Sequence, residues 1–190
     1  MTTVGSNQRT RMHPHKFLLW VGMGSIIMMF AGLTSAYIVR SNQANWLQFP
    51  LPAVFWYSTV AILCSSLSMH LSLKAFKARE MQRYRFLITV TMLLGILFAV
   101  LQFIGFIFLN KSGIHLTGQG SNPSASFLLV ITGLHILHVL GGIVALMIIF
   151  LRAYSSKSKN YNAVPVEIAG TYWHFVDILW IYLFIFFSAI

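Results

Sequence analysis

The most informative stretch of the chain reads EIAGTYWHFVDILW, from Glu167 to Trp180, because it places acids inside an otherwise apolar segment. Two of the three acidic residues of the chain, Glu167 and Asp177, lie in it, and an apolar run continues to Ile190. A carboxylate at the centre of a membrane helix costs about 2.5–3.5 kcal/mol on insertion scales. At about 100° per residue, Glu167, His174 and Asp177 share one helical face. We predict that this face is directed into protein, with His174 as the partner of Asp177.

The composition indicates an integral membrane protein. Of the 190 residues, 57% are hydrophobic and 8% are charged, and the mean hydropathy is +0.76. A soluble domain has about 25% charged residues. The length leaves room for membrane spans joined by short loops, and it excludes a separate soluble domain of ordinary size.

The predicted fold class is all-α, a polytopic membrane helix bundle with five transmembrane helices. We predict a tail over residues 1–16 and a single five-helix domain over 17–190, with spans at about 17–39, 52–73, 86–109, 126–151 and 167–190. Each span is long enough to cross a hydrocarbon core of about 30 Å. Helices are favoured because backbone groups in lipid must pair within their own segment.

The distribution of basic residues predicts the orientation of these spans. Only Arg40 and Lys111, of the 13 lysines and arginines, fall on one side of the predicted membrane. The others lie on the opposite side: Arg9, Arg11, Lys16, Lys74, Lys77, Arg79, Arg83, Arg85, Arg152, Lys157 and Lys159. The positive-inside rule therefore places the N-terminus in the cytoplasm and the C-terminus in the periplasm. Because these charges flank spans, we predict no nucleic-acid partner.

The remaining polar residues of the spans are predicted to form a structural polar network that holds the helices together. Its members are His70, Gln102, His135, His138, Glu167, Trp173, His174 and Asp177. Neutral imidazole can ligate haem or a metal, or it can simply donate and accept hydrogen bonds. Only His70 and His174 lie at similar depths, roughly 5 and 10 Å from one surface, and copper or iron needs more convergent ligands. We predict no catalytic, cofactor-binding or metal-binding residue in this chain, with a haem b membrane anchor as an alternative.

The fourth and fifth spans carry a resemblance to a known family. The fifth span resembles the carboxyl-terminal signature of cytochrome c oxidase subunit III, in Glu167, Trp173, His174, Phe175, Val176, Asp177 and Trp180. The fourth span is similar to another motif of that family, in Thr132, Gly133, His135, His138, Val139 and Gly142. The family's arginine after this helix, which contacts a phospholipid headgroup, matches Arg152. Leu101 and Gln102 match a further family pair.

The resemblance implies the bacterial five-helix form of subunit III of a proton-pumping haem-copper terminal oxidase. Such an enzyme reduces O2 to water in aerobic electron transport with electrons from cytochrome c, and its haem and copper lie in other subunits. The implied role is non-catalytic: stabilising the catalytic subunit and binding lipid in the bacterial inner membrane. The implied partners are subunit I as the main contact, subunit II, subunit IV, a respiratory supercomplex and phospholipids.

Two points stay open from the sequence. A subunit III-like component of a quinol oxidase or nitric oxide reductase complex is the alternative reading of the same motifs. The family's first shared helix usually carries a buried glutamate, and the matching stretch around Ile26 has no acid. Whatever that acid does in tuning proton uptake is therefore not carried over to this chain.

Overall fold

The computed structural model describes residues 14–42, 51–112, 122–154 and 163–189, with side chains from residue 16 onward. Five α-helices account for nearly all of them: α1 (Pro14–Ser41), α2 (Val54–Lys77), α3 (Met81–Lys111), α4 (Pro123–Tyr154) and α5 (Val164–Ala189). Each is long and apolar enough to cross a membrane. The predicted all-α class with five spanning helices is therefore confirmed. Arg9, Arg11, Lys157 and Lys159 lie outside the described residues.

The helices extend beyond the apolar stretches that predicted them. The second helix continues to Lys77 rather than ending near residue 73, and the third begins at Met81 rather than near residue 86. Backbone hydrogen bonding does not stop where the apolar side chains stop, and lysine and arginine are good helix formers. Hydropathy therefore marks the lipid-facing part of each helix, while the helix itself is longer.

A tight turn around Arg79 makes α2 and α3 antiparallel neighbours. Arg79 has φ of 61°, a left-handed conformation that costs a residue with a side chain roughly 1–2 kcal/mol. Its N–H donates to the carbonyl oxygen of Phe76 at 3.1 Å, and the N–H of Glu80 donates to that of Ala75 at 3.0 Å. This Schellman pattern caps α2 and starts α3 at once. The two helices consequently make the most extensive helix–helix contact of the molecule.

Ion pairs and one cation–π contact show which helix ends lie together. The Nζ atoms of Lys16 and Lys77 both contact the carboxylate of Glu167. The guanidinium of Arg85 lies 5.4 Å from the centre of the Tyr154 ring. The starts of α1, α3 and α5 and the ends of α2 and α4 therefore meet at one end of the bundle. The side of the membrane that this end faces stays a prediction.

Helix α1 is the peripheral member of the bundle. Helices α2 to α5 surround the main core, and α1 packs on α4 and α5. Phe30 and Tyr37 of α1 join a second cluster with Ile131 of α4 and Leu183 of α5. Helix α1 is therefore attached along one stripe and presents its remaining surface outward.

Candidate functional site

Trp173 joins four helices at one point. Its indole is completely buried, and its Nε1–H donates to the hydroxyl of Ser65 at 3.0 Å. A Cβ atom added to Gly95 of α3 would lie 2.7 Å from this ring, and one added to Gly142 of α4 would lie 2.9 Å from it. Small residues in membrane helices permit such close approach. The indole of α5 is thus enclosed by α2, α3 and α4.

Trp180, two turns further along α5, forms a second aromatic junction. Its Nε1–H donates to the hydroxyl of Thr59 at 3.0 Å. The ring of His135 stacks on it, with ring centres 5.2 Å apart, and the rings of Phe98 and Phe30 meet His135 edge-on. Neither nitrogen of the buried His135 has a hydrogen-bond partner among the described residues. His135 is therefore packed as an aromatic ring rather than as a hydrogen-bonding group.

The side chain of Gln102 bonds to another helix, whereas that of His138 bonds to its own helix. The side-chain nitrogen of Gln102 donates to the hydroxyl of Ser58 at 3.0 Å, which links α3 to α2. The Nδ1 of His138 lies 2.7 Å from the carbonyl oxygen of Leu134 on its own helix. A carbonyl oxygen only accepts, so Nδ1 carries the proton. The backbone carbonyl of His138 accepts from the hydroxyl of Tyr172 at 3.0 Å, which links α4 to α5.

Serines of α2 are the partners that the sequence analysis missed. Ser58, Ser65 and Ser72 recur every seven residues and are all buried. Ser58 and Ser65 accept hydrogen bonds from other helices, whereas the hydroxyl of Ser72 has no hydrogen-bond partner among the described residues. Ser68, also buried, shares a hydrogen bond of 2.8 Å with the hydroxyl of Thr91 on α3. Small polar residues allow close packing of membrane helices and supply hydrogen bonds between them. The seven-residue repeat of serine in an apolar span was the available signal.

Glu167 is paired with lysines from two other helices. Its Oε2 is 2.9 Å from Nζ of Lys16 on α1, and its Oε1 is 3.0 Å from Nζ of Lys77 on α2. At this end of α5, the carboxylate of Glu167 therefore contacts other helices rather than polar residues of its own helix. Glu167 lies at the end of the bundle, where its side chain is 26% exposed and the long lysine side chains reach it.

The predicted pairing of His174 with Asp177 is wrong. The Nδ1 of His174 lies 2.7 Å from the hydroxyl oxygen of Ser66 on α2. Asp177 is only 2% exposed, and neither carboxyl oxygen has a hydrogen-bond partner among the described residues. Its polar neighbour is the same Ser66 hydroxyl. The imidazole of His174 contacts another helix. It therefore donates no hydrogen bond to the carboxyl of Asp177, one turn away on the same helix.

A cavity of about 430 Å³ opens where α1, α2 and α5 meet. Its polar lining consists of Lys16, His70, Lys77, Glu167 and His174, together with Thr171. The rings of His70 and His174 lie 6.3 Å apart, tilted by 54°. His174 therefore borders this cavity on one side and contacts Ser66 on the other.

The predicted polar network is thus divided into separate contacts. Helix α2 supplies hydroxyl partners to Gln102, Trp173 and His174. Glu167 belongs to an ionic cluster, and Asp177 has no hydrogen-bond partner within the described ranges. Arg152 is exposed at the end of α4. Over the described ranges, no three His, Cys, Asp or Glu side chains are grouped closely enough to share a metal ion.

Comparison with known proteins places this helix bundle in a family. Residues 23–189 match the family described as cytochrome c oxidase subunit III. The chain is 31% identical over 193 residues to a probable cytochrome c oxidase subunit 3 of Nocardia farcinica, covering 96% of this chain and 94% of that protein. It is 32% identical over 181 residues to cytochrome c oxidase subunit 3 of Corynebacterium diphtheriae, covering 87% and 85%. A third relative, from Bacillus sp. PS3, is 27% identical over 176 residues.

The matched region contains all five helices except the beginning of α1, so the resemblance of α4 and α5 extends across the whole bundle. The chain is a multi-pass membrane protein that belongs to the cytochrome c oxidase subunit III family, and hence a subunit of a haem-copper oxidase complex.

Proposed function

We propose that this chain is a non-catalytic scaffold of a cytochrome c oxidase in the bacterial inner membrane. In this role it packs mainly against subunit I, with subunit II, subunit IV and a respiratory supercomplex as further partners. It stabilises the catalytic subunit while O2 is reduced to water and protons are pumped. The haem and copper groups of that reaction lie in the partner subunits.

The junction at Trp173 is the observation that supports a scaffold most directly. One buried indole contacts α2, α3 and α4, and its hydrogen bond ends on Ser65. Trp180 repeats the arrangement on Thr59. The buried side chains of Trp173 and Trp180 thus hold helices together. A rigid bundle of this kind offers a fixed surface against which a larger subunit can pack.

The surroundings of the histidines favour a scaffold over an electron-carrying haem b anchor. His135 is fully buried and packs against the rings of Trp180, Phe98 and Phe30. His174 is bound to Ser66. The pair formed by His70 and His174 remains the arrangement with which a haem b anchor would have to be built.

Arg152 is our candidate for binding a phospholipid headgroup. It is exposed in the last turn of α4, at the bundle end that carries the other described basic residues except Arg40 and Lys111. A guanidinium binds a phosphate through two parallel hydrogen bonds. Replacement by Lys keeps the charge but removes this geometry, so Arg152→Lys is expected to lose part of the co-purifying phospholipid and Arg152→Gln to lose more.

Purification in mild detergent tests the scaffold role. We expect the chain to co-purify with a subunit carrying haem and copper and with a copper-bearing subunit II, whereas a quinol oxidase would lack the copper of subunit II. His174→Ala and Asp177→Ala are expected to weaken this assembly with little effect on turnover per assembled complex. Normal assembly with an immediate loss of turnover contradicts the proposal.

A visible spectrum of the isolated chain tests the haem b alternative. We expect no stoichiometric b-type signal. A signal that disappears in both His70→Ala and His174→Ala would replace the scaffold by an electron carrier.

A further inference from the structure

We propose that Asp177 is a buried proton-binding site that exchanges its proton with the cavity between α1, α2 and α5 through Ser66 and His174. This inference concerns the chain's own residues and goes beyond the scaffold role. It does not depend on which subunits are bound.

The burial of Asp177 favours the neutral carboxylic acid. The side chain is 2% exposed, and neither oxygen has a hydrogen-bond partner among the described residues. An ionised carboxylate without a partner in an apolar interior costs several kcal/mol. A protonated carboxyl avoids that cost, and it also gains one O–H donor.

Ser66 and His174 provide the connection to the cavity. The Ser66 hydroxyl faces Asp177 from α2 and lies 2.7 Å from Nδ1 of His174. The imidazole of His174 in turn lines the cavity of about 430 Å³. A water molecule takes about 30 Å³ of liquid volume, so this cavity has room for several.

Asp177, Ser66 and His174 can together move one proton either toward the cavity or away from it. In one arrangement the acid O–H of Asp177 donates to the Ser66 oxygen, the Ser66 O–H donates to Nδ1 of His174, and Nε2 of His174 bears the ring proton. When a proton leaves, Asp177 gives its proton to Ser66 and Ser66 gives its own to Nδ1. The Nε2–H proton passes to water in the cavity. Uptake is the reverse, and His174 stays neutral before and after.

The charged and titratable groups around the path lie at its cavity end. Lys16 faces the cavity from α1, His70 and Lys77 face it from α2, and Glu167 faces it from α5. The histidines of α4 are directed elsewhere: the rings of His135 and His138 contact Phe30. His135 is also buried and has no hydrogen-bond partner in the part of the chain that the structure describes, but aromatic rings enclose it. The cavity lining therefore supplies polar groups at the mouth of the path to Asp177, and His135 has no comparable path.

The sequence makes the proton on Asp177 directly observable, because Asp177 is the only aspartate of the chain. We would express the full chain with ¹³C in the aspartate side-chain carboxyl, place it in lipid bilayers and record infrared spectra at neutral pH. We expect the carbonyl band of a protonated carboxylic acid. A band of an ionised carboxylate alone overturns the proposal.

The exchange of that proton for deuterium tests the path. Ser66→Ala removes the linking hydroxyl and is expected to slow the deuterium shift of the labelled band on the order of a hundredfold, the lower end of what one positioned proton-transfer group contributes. Ser66→Thr, which restores a hydroxyl, is expected to recover most of the rate. Ser68→Ala, whose hydroxyl faces Thr91 of α3 instead, is the matched control and should exchange like the wild type. Equal exchange in wild type and Ser66→Ala would show that the proton does not pass through Ser66.

Discussion

Trp173 and Asp177 lie one turn apart on α5 and are both buried, yet they differ in whether their polar atoms are hydrogen-bonded. The indole N–H of Trp173 donates to Ser65, and its ring is enclosed by Gly95 and Gly142. The carboxyl of Asp177 has no hydrogen-bond partner among the residues that the structure describes. A polar group that is buried and satisfied stabilises one arrangement of helices, whereas a buried and unsatisfied one signals a second role. The comparison therefore separates the part of α5 that holds the bundle from the part that can exchange a proton.

Removing the indole is expected to have the largest effect on stability. Trp173→Ala leaves a cavity among four helices and removes the hydrogen bond from the indole to Ser65, so we expect a loss of about 3–5 kcal/mol. Thermal unfolding of the purified complex measures it. Trp56→Ala is the control, because that indole is largely exposed on the outer surface of α2 and should cost less than about 1 kcal/mol. Equal losses from the two variants would contradict the assignment of Trp173 as the junction.

Adding one methyl group against the indole is expected to have the next largest effect. A Cβ atom at Gly142 would lie 2.9 Å from Trp173, so Gly142→Ala should destabilise the bundle by about 1–3 kcal/mol through overpacking. Gly133→Ala, on the same helix, is the matched control, since its Cβ would meet no described atom within 4 Å. The same unfolding measurement should show no loss for this control. A neutral Gly142→Ala would mean that α4 can move away from the indole freely.

Replacing the carboxyl of Asp177 by an amide tests whether that carboxyl is neutral. Asp177→Asn keeps the shape and stays neutral, so the free energy of unfolding should change by less than about 1 kcal/mol if the native carboxyl is protonated and unpaired. Breaking a buried ion pair would instead cost about 3–5 kcal/mol. Unfolding of the variant complex at neutral pH distinguishes the two, and a loss in the larger range would show that Asp177 has a charged partner.

The smallest effect is expected at the exposed end of α5. Glu167→Gln removes both lysine contacts, but these atoms are partly in water, so the loss should be about 0.5–1 kcal/mol. Salt screens such pairs, and the difference from wild type should shrink as the salt concentration rises. Glu80→Gln, which removes only an exposed pair with Arg83, should change stability less. A loss independent of salt would indicate that Glu167 is held by something other than charge.

The number of helices, their approximate positions and the burial of Asp177 could all be predicted from the order of residues along the chain. The reason is that lipid demands about 20 apolar residues per span and makes every buried carboxylate costly, and both constraints are visible in one dimension. Trp173 and Gln102 donate hydrogen bonds to Ser65 and Ser58 of α2, because a polar atom in a membrane span needs a partner somewhere in the bundle.

The identity of each hydrogen-bond partner depends on how the helices pack in three dimensions. Their spacing on one helix predicted a contact between His174 and Asp177, but the imidazole contacts Ser66 of α2. The carboxylate of Glu167 contacts Lys16 and Lys77. Hydrogen bonds depend on distances of about 3 Å between atoms far apart in the chain. Helical periodicity fixes which face a residue occupies, and the packing of α2 against α5 fixes which group across that face it meets.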